Sequence, residues 1–162
     1  MNETQVQNKV AILIERDETL LLIKEKSASG EYLWNIVKGT FEPEKDRDYC
    51  EAARRECREE VGVEVTITHL LNIMYLSDHE KGKYLNQFNF IASITSGEPH
   101  LAEKDAQASR NEDISEFKWV NNAELLVLSE TDFMSKRAYL ATRNWMSGER
   151  HDLNVLNFIQ GY

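Results

Sequence analysis

The sequence predicts an α+β or α/β sandwich, in which helices cover the faces of a β-sheet. Apolar runs of strand length recur along the chain, and one segment near the middle changes to helical spacing before further strands follow. Two more helical segments lie near the end. No repeat, low-complexity tract or Pro/Gly-rich linker divides the 162 residues, so we interpret residues 1–162 as a single domain.

The first half of the chain predicts strands followed by a helix. Strands are expected at residues 9–15, 19–23 and 32–37. The polar turn Arg16-Asp17-Glu18 between the first two is typical of a β-hairpin. Residues 38–48 are charged and predict a loop, and residues 48–61 then take helical spacing that ends at Gly62. One face of this helix is apolar and carries Cys50, Ala53, Cys57 and Val61.

The second half predicts more strands and two terminal helices. Strands are expected at residues 63–69, 70–76, 84–94 and 114–120. Helices are expected at residues 121–128 and 131–146, with Gly148 beyond the second. Residues 95–112 are polar and predict no element.

Composition and charge exclude several classes of protein. The longest aliphatic run, residues 20–23, is too short to cross a bilayer, and residues 1–10 lack the pattern of a secretory signal. Cys50 and Cys57, on one predicted helix, are about 10.5 Å apart in rise, too far for a disulfide, so a cytoplasmic location is expected. The net charge of −9 argues against long nucleic acid as a partner.

Three carboxylates share one edge of the central predicted helix. Glu56, Glu59 and Glu60 span an arc of about 100° beside its apolar face. Such closely spaced charges raise one another's pKa, and the single guanidinium of Arg55 does not balance them. Hard divalent cations such as Mg²⁺ or Mn²⁺ prefer oxygen ligands and would compensate them. The alternative is a solvated acidic face, which is common in Glu-rich helices.

Residues 55–63 resemble the second half of the Nudix box, GX5EX7REUXEEXGU, in which U is a bulky aliphatic residue and Cys57 counts as one. Gly39 is similar to the glycine that opens the box. Fifteen residues separate Gly39 from Arg55 where the pattern has thirteen, and neither register supplies the first Glu. That Glu braces the loop in the family. The acids of this loop that could replace it are Glu44, Asp46 and Asp48.

The resemblance implies the Nudix fold, an α/β/α sandwich whose mixed sheet carries the catalytic helix and additional C-terminal helices. It also implies a Mg²⁺-dependent pyrophosphohydrolase, Mn²⁺ being the other candidate ion. The expected substrate is a small molecule, a nucleotide or nucleoside diphosphate derivative cleaved at its diphosphate linkage. The alternative is a non-catalytic Nudix-fold module that binds such compounds, although all three box carboxylates are present. Homodimers are frequent in the family, and no sequence feature decides the oligomeric state.

The resemblance also assigns roles to residues. It implies that Glu56, Glu59 and Glu60 bind metal together with the Gly39 carbonyl, and that Arg55 orients Glu59. The general base is a box glutamate or an acid on the loop before residues 114–120. Candidates on that loop are Glu112 and Asp113, for which a solvated turn is the alternative. Lys38 is a candidate to contact phosphate, and an exposed surface lysine is its alternative. Candidate base-stacking aromatics are Tyr32, Tyr75, Tyr84, Phe88 and Phe90.

Overall fold

The computed structural model of the protein describes residues 5–159 and 161. Residues 1–4, part of the segment examined for a secretory signal, lie outside this range. The strands are β1 (Gln5–Arg16), β2 (Thr19–Lys26), β3 (Tyr32–Asn35), β4 (Val37–Thr40), β5 (Glu64–Asp78), β6 (Lys83–Ser96) and β7 (Ile114–Val120). The α-helices are α1 (Tyr49–Val61), α2 (Lys104–Ser109), α3 (Asn122–Leu126) and α4 (Lys136–Met146).

The strands form one mixed sheet that splits along β1. The main order is β3-β2-β1-β6-β5, with β4 paired to β1 and β7 paired to β2. Strand β1 runs parallel to β6, and the other pairs are antiparallel. On its other edge, β1 pairs with β4 over Lys9–Ile12 but with β2 only at Glu15 and Arg16. Strands β2 and β4 therefore diverge from a common neighbour.

Alternation along β1 divides the core between the two faces of the sheet. The core on the α1 face includes Val10, Ile12, Ile14, Ala53, Cys57 and Val61. The core on the α4 face includes Ala11, Leu13, Ala138, Ala141 and Trp145. Helices on both faces of a mixed sheet confirm the predicted α+β fold. In the described part of the chain, no helix combines the length and apolar character that crossing a membrane requires.

Two strand predictions are wrong in detail. The strands expected at residues 63–69 and 70–76 are replaced by the single strand β5, which begins at Glu64, because bulges near Ile67 and Leu70 interrupt its alternation without ending it. The strand expected at residues 32–37 divides into β3 and β4. Gly39, which was expected in a loop, therefore lies in a strand. The pairing of β4 with β1 is non-local, so the charged local sequence does not reveal it.

The helix predictions hold where local capping signals are clear. Helix α1 starts after Asp48 and ends at Gly62, as expected. Helix α4 begins five residues later than predicted, because Ser135 caps it after a short 3₁₀ turn at Glu130–Asp132. The polar stretch at residues 95–112 contains the short helix α2.

Candidate functional site

Helix α1 carries the predicted site and is fixed at both ends by its caps. The side chain of Asp48 accepts a hydrogen bond from the Glu51 amide at 2.8 Å, which satisfies a free donor of the first turn. Gly62 adopts the left-handed conformation, with φ of 67°, and ends the helix. The buried face of helix α1 includes Glu56 and Glu60 beside the apolar residues, so two carboxylates lie inside the protein.

The structure brings Glu56 and Glu60 together and adds Glu112 to them. One carboxylate oxygen from each of the three lies within 4.8 Å of the others. Glu56 is 5% exposed and Glu60 is 2% exposed. Glu59 lies outside this set and is more exposed than Glu56 or Glu60. It accepts a hydrogen bond from Arg55 at 3.2 Å. We call Glu56, Glu60 and Glu112 the carboxylate cluster.

Gly39 permits the close packing of this cluster on strand β4. A Cβ atom at position 39 would lie 1.9 Å from both Cδ and Oε1 of Glu56. Any side chain there would displace the carboxylate, so only glycine lets the strand backbone approach it this closely. The structure thus places Gly39 beside Glu56, and the role of its carbonyl as a metal ligand stays a prediction.

Arg55 connects the helix, the preceding loop and strand β4. Its Nε and Nη2 atoms donate to the two carboxylate oxygens of Asp46 at 2.9 and 2.8 Å. Nη2 also donates to the carbonyl of Thr40 at 3.0 Å, and Nη1 donates to Glu56 at 2.7 Å. Arg55 is therefore hydrogen-bonded to both Glu56 and Glu59, and its role in the reaction stays a prediction.

Asp46 braces the loop before the helix. It is 3% exposed and accepts a hydrogen bond from the Glu42 amide at 2.9 Å, in addition to its paired bonds from Arg55. Burial alone would raise the pKa of Asp46, but these hydrogen bonds hold it below its ordinary value. Of the other two acids considered, Asp48 caps the helix and Glu44 is exposed.

The electrostatics of the cluster disfavour three negative charges. Burial raises the pKa of Glu56 to about 7, although Arg55 favours its ionised form. Burial also raises the pKa of Glu60 well above its ordinary value, with Lys38 opposing this and Glu112 and Glu56 adding to it. The pKa of Glu112 is raised, again mainly by burial. Without an added cation, the cluster therefore retains protons that exposed carboxylates would lose.

Lys38 lies beside the cluster in a partly buried ion pair. Its Nζ atom is 3.0 Å from Oε2 of Glu25, and its backbone amide donates to Glu60 at 3.3 Å. The same oxygen of Glu25 accepts a hydrogen bond from the buried Asn35 at 2.7 Å. Burial would lower the pKa of Lys38, but Glu60 and Glu25 raise it overall. Glu25 was missed because the end of β2 resembles an ordinary solvated strand end in sequence.

The loop before β7 separates the two acids proposed there. Arg110 donates from Nη2 to the Glu59 carbonyl at 2.8 Å and from Nε to Glu112 at 3.1 Å, which places Glu112 against α1. Asp113 instead accepts hydrogen bonds from Lys104 at 2.9 Å and from the Tyr32 hydroxyl at 3.1 Å. Arg110 was missed because residues 95–112 gave no periodic pattern.

These elements enclose a polar cleft of about 390 Å³. It is lined by α1, β4, the end of β2 and the loop that carries Arg110 and Glu112. Among the aromatic candidates, Phe90 is fully buried and unavailable for stacking, and Phe88 stacks on Tyr49 with ring centroids 4.0 Å apart. The cleft can therefore hold cations and phosphate groups through side chains that the fold already positions.

The family model described as NUDIX domain matches residues 6–142 of the chain. The chain is 36% identical over 73 residues to CTP pyrophosphohydrolase of Escherichia coli (strain K12), a match that covers 44% of this chain and about half, 49%, of that protein. It is 28% identical over 142 residues to phosphatase NudJ of the same strain, covering 86% of this chain and 83% of that protein.

A structure described as a NUDIX hydrolase from Nitrosomonas europaea superimposes on the chain with a TM-score of 0.78. The sequences are 21% identical, and the superposition covers 98% of this chain and 100% of that one. At this identity the likeness concerns the fold, and it extends over nearly every element described above.

Proposed function

The chain belongs to the NUDIX family, and we propose that it cleaves a diphosphate linkage with the aid of Mg²⁺. It is a Nudix-type hydrolase, as its sequence predicted. The proposed substrates are nucleotides or nucleoside diphosphate derivatives. The pyrophosphohydrolase and phosphatase named among its relatives support this choice. The observation that carries the proposal is the buried carboxylate cluster, because its charges have no other evident purpose in the fold.

The residues present suit a divalent cation. Glu56, Glu60 and Glu112 offer oxygen atoms within 4.8 Å of one another, and burial penalises their ionisation unless a cation is close. Mg²⁺ prefers hard oxygen ligands and retains several waters, which a polar cleft accommodates. We propose that Glu59 and the carbonyl of Gly39 complete the set of protein ligands, as the family resemblance implies.

Each residue of the cleft then has a chemical task. When bound, the cation would neutralise the diphosphate and lower the pKa of the attacking water. Arg55 holds Glu56 and Glu59 at 2.7 and 3.2 Å, so their positions do not depend on the substrate. Glu112 is our first candidate for the general base, because Arg110 holds its carboxylate at the cleft beside Glu56 and Glu60, and Glu59 is the second. Lys38 contacts a phosphate oxygen.

The test is hydrolysis across a substrate panel with Mg²⁺ and with EDTA. The panel contains nucleoside triphosphates, sugar nucleotides and dinucleoside polyphosphates, and released phosphate or pyrophosphate is measured. Glu60→Gln should lower turnover about a hundredfold or more, because a buried charged ligand becomes neutral at the same size. Glu51→Gln, on the same helix outside the cleft, should keep turnover within a few-fold. Binding of these compounds without any turnover would contradict the proposal and favour a non-catalytic module.

A further inference from the structure

A chain of buried amides crosses the α4 face of the sheet and ends on an arginine. Arg137 Nη1 donates to Gln87 Oε1 at 3.0 Å, Gln87 Nε2 donates to Asn89 Oδ1 at 2.8 Å, and Asn89 Nδ2 donates to Asn72 Oδ1 at 2.7 Å. Gln87 is 4% exposed and Asn89 is fully buried. The side-chain NH₂ groups of Gln87 and Asn89 each donate to the next amide in the chain, so the carbonyl oxygen of Gln87 faces Arg137 and accepts from it. The guanidinium is therefore held in one place.

Lys9 lies on the same face as this arginine. In the parallel pair of β1 and β6, Lys9 is the partner of Gln87, and it alternates with the α4-face core residue Ala11. The pKa of Lys9 is lowered, chiefly by burial and then by the like charges of Lys38 and Arg137. Two half-buried cations thus lie close together on the α4 face of the sheet, one beside Gln87 in the register and the other bonded to it.

Neither cation is neutralised within the part of the chain that the structure describes. Lys9 and Arg137 form no ion pair within 4.0 Å there: the charges of Glu25 and Glu56 act on Lys9 only from farther away, and Arg137 has the neutral Gln87 as its hydrogen-bond acceptor. Removing a charge from water costs free energy unless the charge is paired, and burial lowers the pKa of both Lys9 and Arg137. Arg137 also stands in the first turn of α4, where the helix dipole opposes a positive charge. In a chain with net charge −9, this arrangement calls for an anion from outside.

We propose that Lys9 and Arg137 form an anion subsite that binds a phosphate group of the substrate other than the two phosphates of the cleaved linkage. The inference rests on the proposed function. Lys9 is the register partner of Thr40, the neighbour of Gly39, and its charge interacts with the charges of Lys38 and Glu56, so the subsite lies near the carboxylate cluster. A lysine and an arginine from different elements match the charge and the several oxygens of a phosphate. The preferred substrates therefore carry at least three phosphate groups.

The test uses inorganic tripolyphosphate in EDTA at fixed ionic strength, measured by titration calorimetry. Omitting the divalent cation removes the contribution of the carboxylate cluster, so the result does not depend on turnover. Lys9→Gln and Arg137→Gln should each weaken binding about tenfold or more, since each removes a charge-assisted contact. Lys136→Gln removes the same charge from the exposed neighbour of Arg137 and should change binding less than about twofold.

A second variant, Gln87→Glu, keeps the positive side chains of both Lys9 and Arg137. Gln87→Glu places a carboxylate on Arg137 in place of the neutral amide, so it should weaken tripolyphosphate binding much as Arg137→Gln does. Thermal melting verifies that each variant is folded. The proposal is overturned if the unmodified protein does not bind tripolyphosphate, if Lys136→Gln is as damaging as Arg137→Gln, or if folded Gln87→Glu binds normally. Loss of hydrolysis with binding intact would instead count against the proposed function.

Discussion

Replacing Glu56 with glutamine should stabilise the metal-free protein at pH 8. Glutamine keeps the size of the side chain and an oxygen that can accept the Arg55 hydrogen bond, but it cannot ionise. Glu56 is 5% exposed, and burial raises its pKa from 4.5 to about 7. The folded state therefore binds this proton more tightly than the unfolded state does. The penalty on folding therefore builds up between the pKa of 4.5 and that of about 7 and is fully present at pH 8, and glutamine avoids it.

The size of the effect follows from the two pKa values. A rise from 4.5 to about 7 corresponds to roughly 3 kcal/mol of unfolding free energy at pH 8, where both states of the protein are ionised. Near pH 5, Glu56 is protonated in the folded state and only partly ionised in the unfolded state. The gain in unfolding free energy from Glu56→Gln should therefore fall below about 1 kcal/mol. The favourable contact with Arg55 is already included in the raised pKa. Saturating Mg²⁺ should reverse the order, because only the unmodified cluster gains full cation binding.

Denaturant unfolding in EDTA at pH 5 and pH 8 measures the difference directly. Glu51→Gln is the control with the opposite sign, since the hydrogen bonds from Arg47 lower the pKa of Glu51 and its charge favours folding at pH 8. It should therefore lower stability slightly at pH 8. The reasoning is refuted if Glu56→Gln is no more stable than the unmodified protein at pH 8, or if its gain is the same at both pH values.

Mg²⁺ or Mn²⁺ should raise the melting temperature of the protein in scanning fluorimetry, and should raise that of Glu60→Gln much less, because the ion binds the folded cluster. Asp46→Asn should cost about 3 kcal/mol in denaturant unfolding, since it leaves a buried guanidinium underpaired. Glu44→Gln, in the exposed part of the same loop, should change stability by less than about 0.5 kcal/mol. Glu112→Gln should reduce phosphate release about a hundredfold or more, and Asp113→Asn only a few-fold; little change in either variant would return the base to the helix.

Features set by neighbouring residues could be predicted from the sequence. Asp48 and Gly62 mark the ends of α1 through local capping, so the helix and the relative angles of its glutamates followed directly from the spacing. Strand β5 was divided in two because bulges near Ile67 and Leu70 break the alternation from which strands are recognised. Sequence periodicity therefore predicts a helix or strand correctly where its repeat is regular, and fails where a β-bulge inserts one residue into a strand.

The missing parts of the site depend on contacts between distant segments. Arg110 reaches the carbonyl of Glu59, 51 positions earlier in the chain, and no local pattern announces such a contact. Glu25 meets Lys38 because β2 and β4 diverge from the same edge of β1. Three acids were equivalent candidates for the loop brace in sequence, and only the tertiary structure distinguishes Asp46, by bringing it to the guanidinium of Arg55.

The fastening of Asp46 to Arg55 also has an evolutionary consequence. A loop that is positioned by an ion pair near its middle does not need a fixed number of residues, because the entropy of closing a loop changes only slowly with its length. Arg55 holds both Thr40 and Asp46, so the segment between these two residues can change in length while the cleft keeps its shape. Between Asp46 and Asp48 there is no such slack, since one residue binds Arg55 and the other caps α1. Insertions and deletions should therefore be tolerated between Thr40 and Asp46 and be rejected between Asp46 and Asp48.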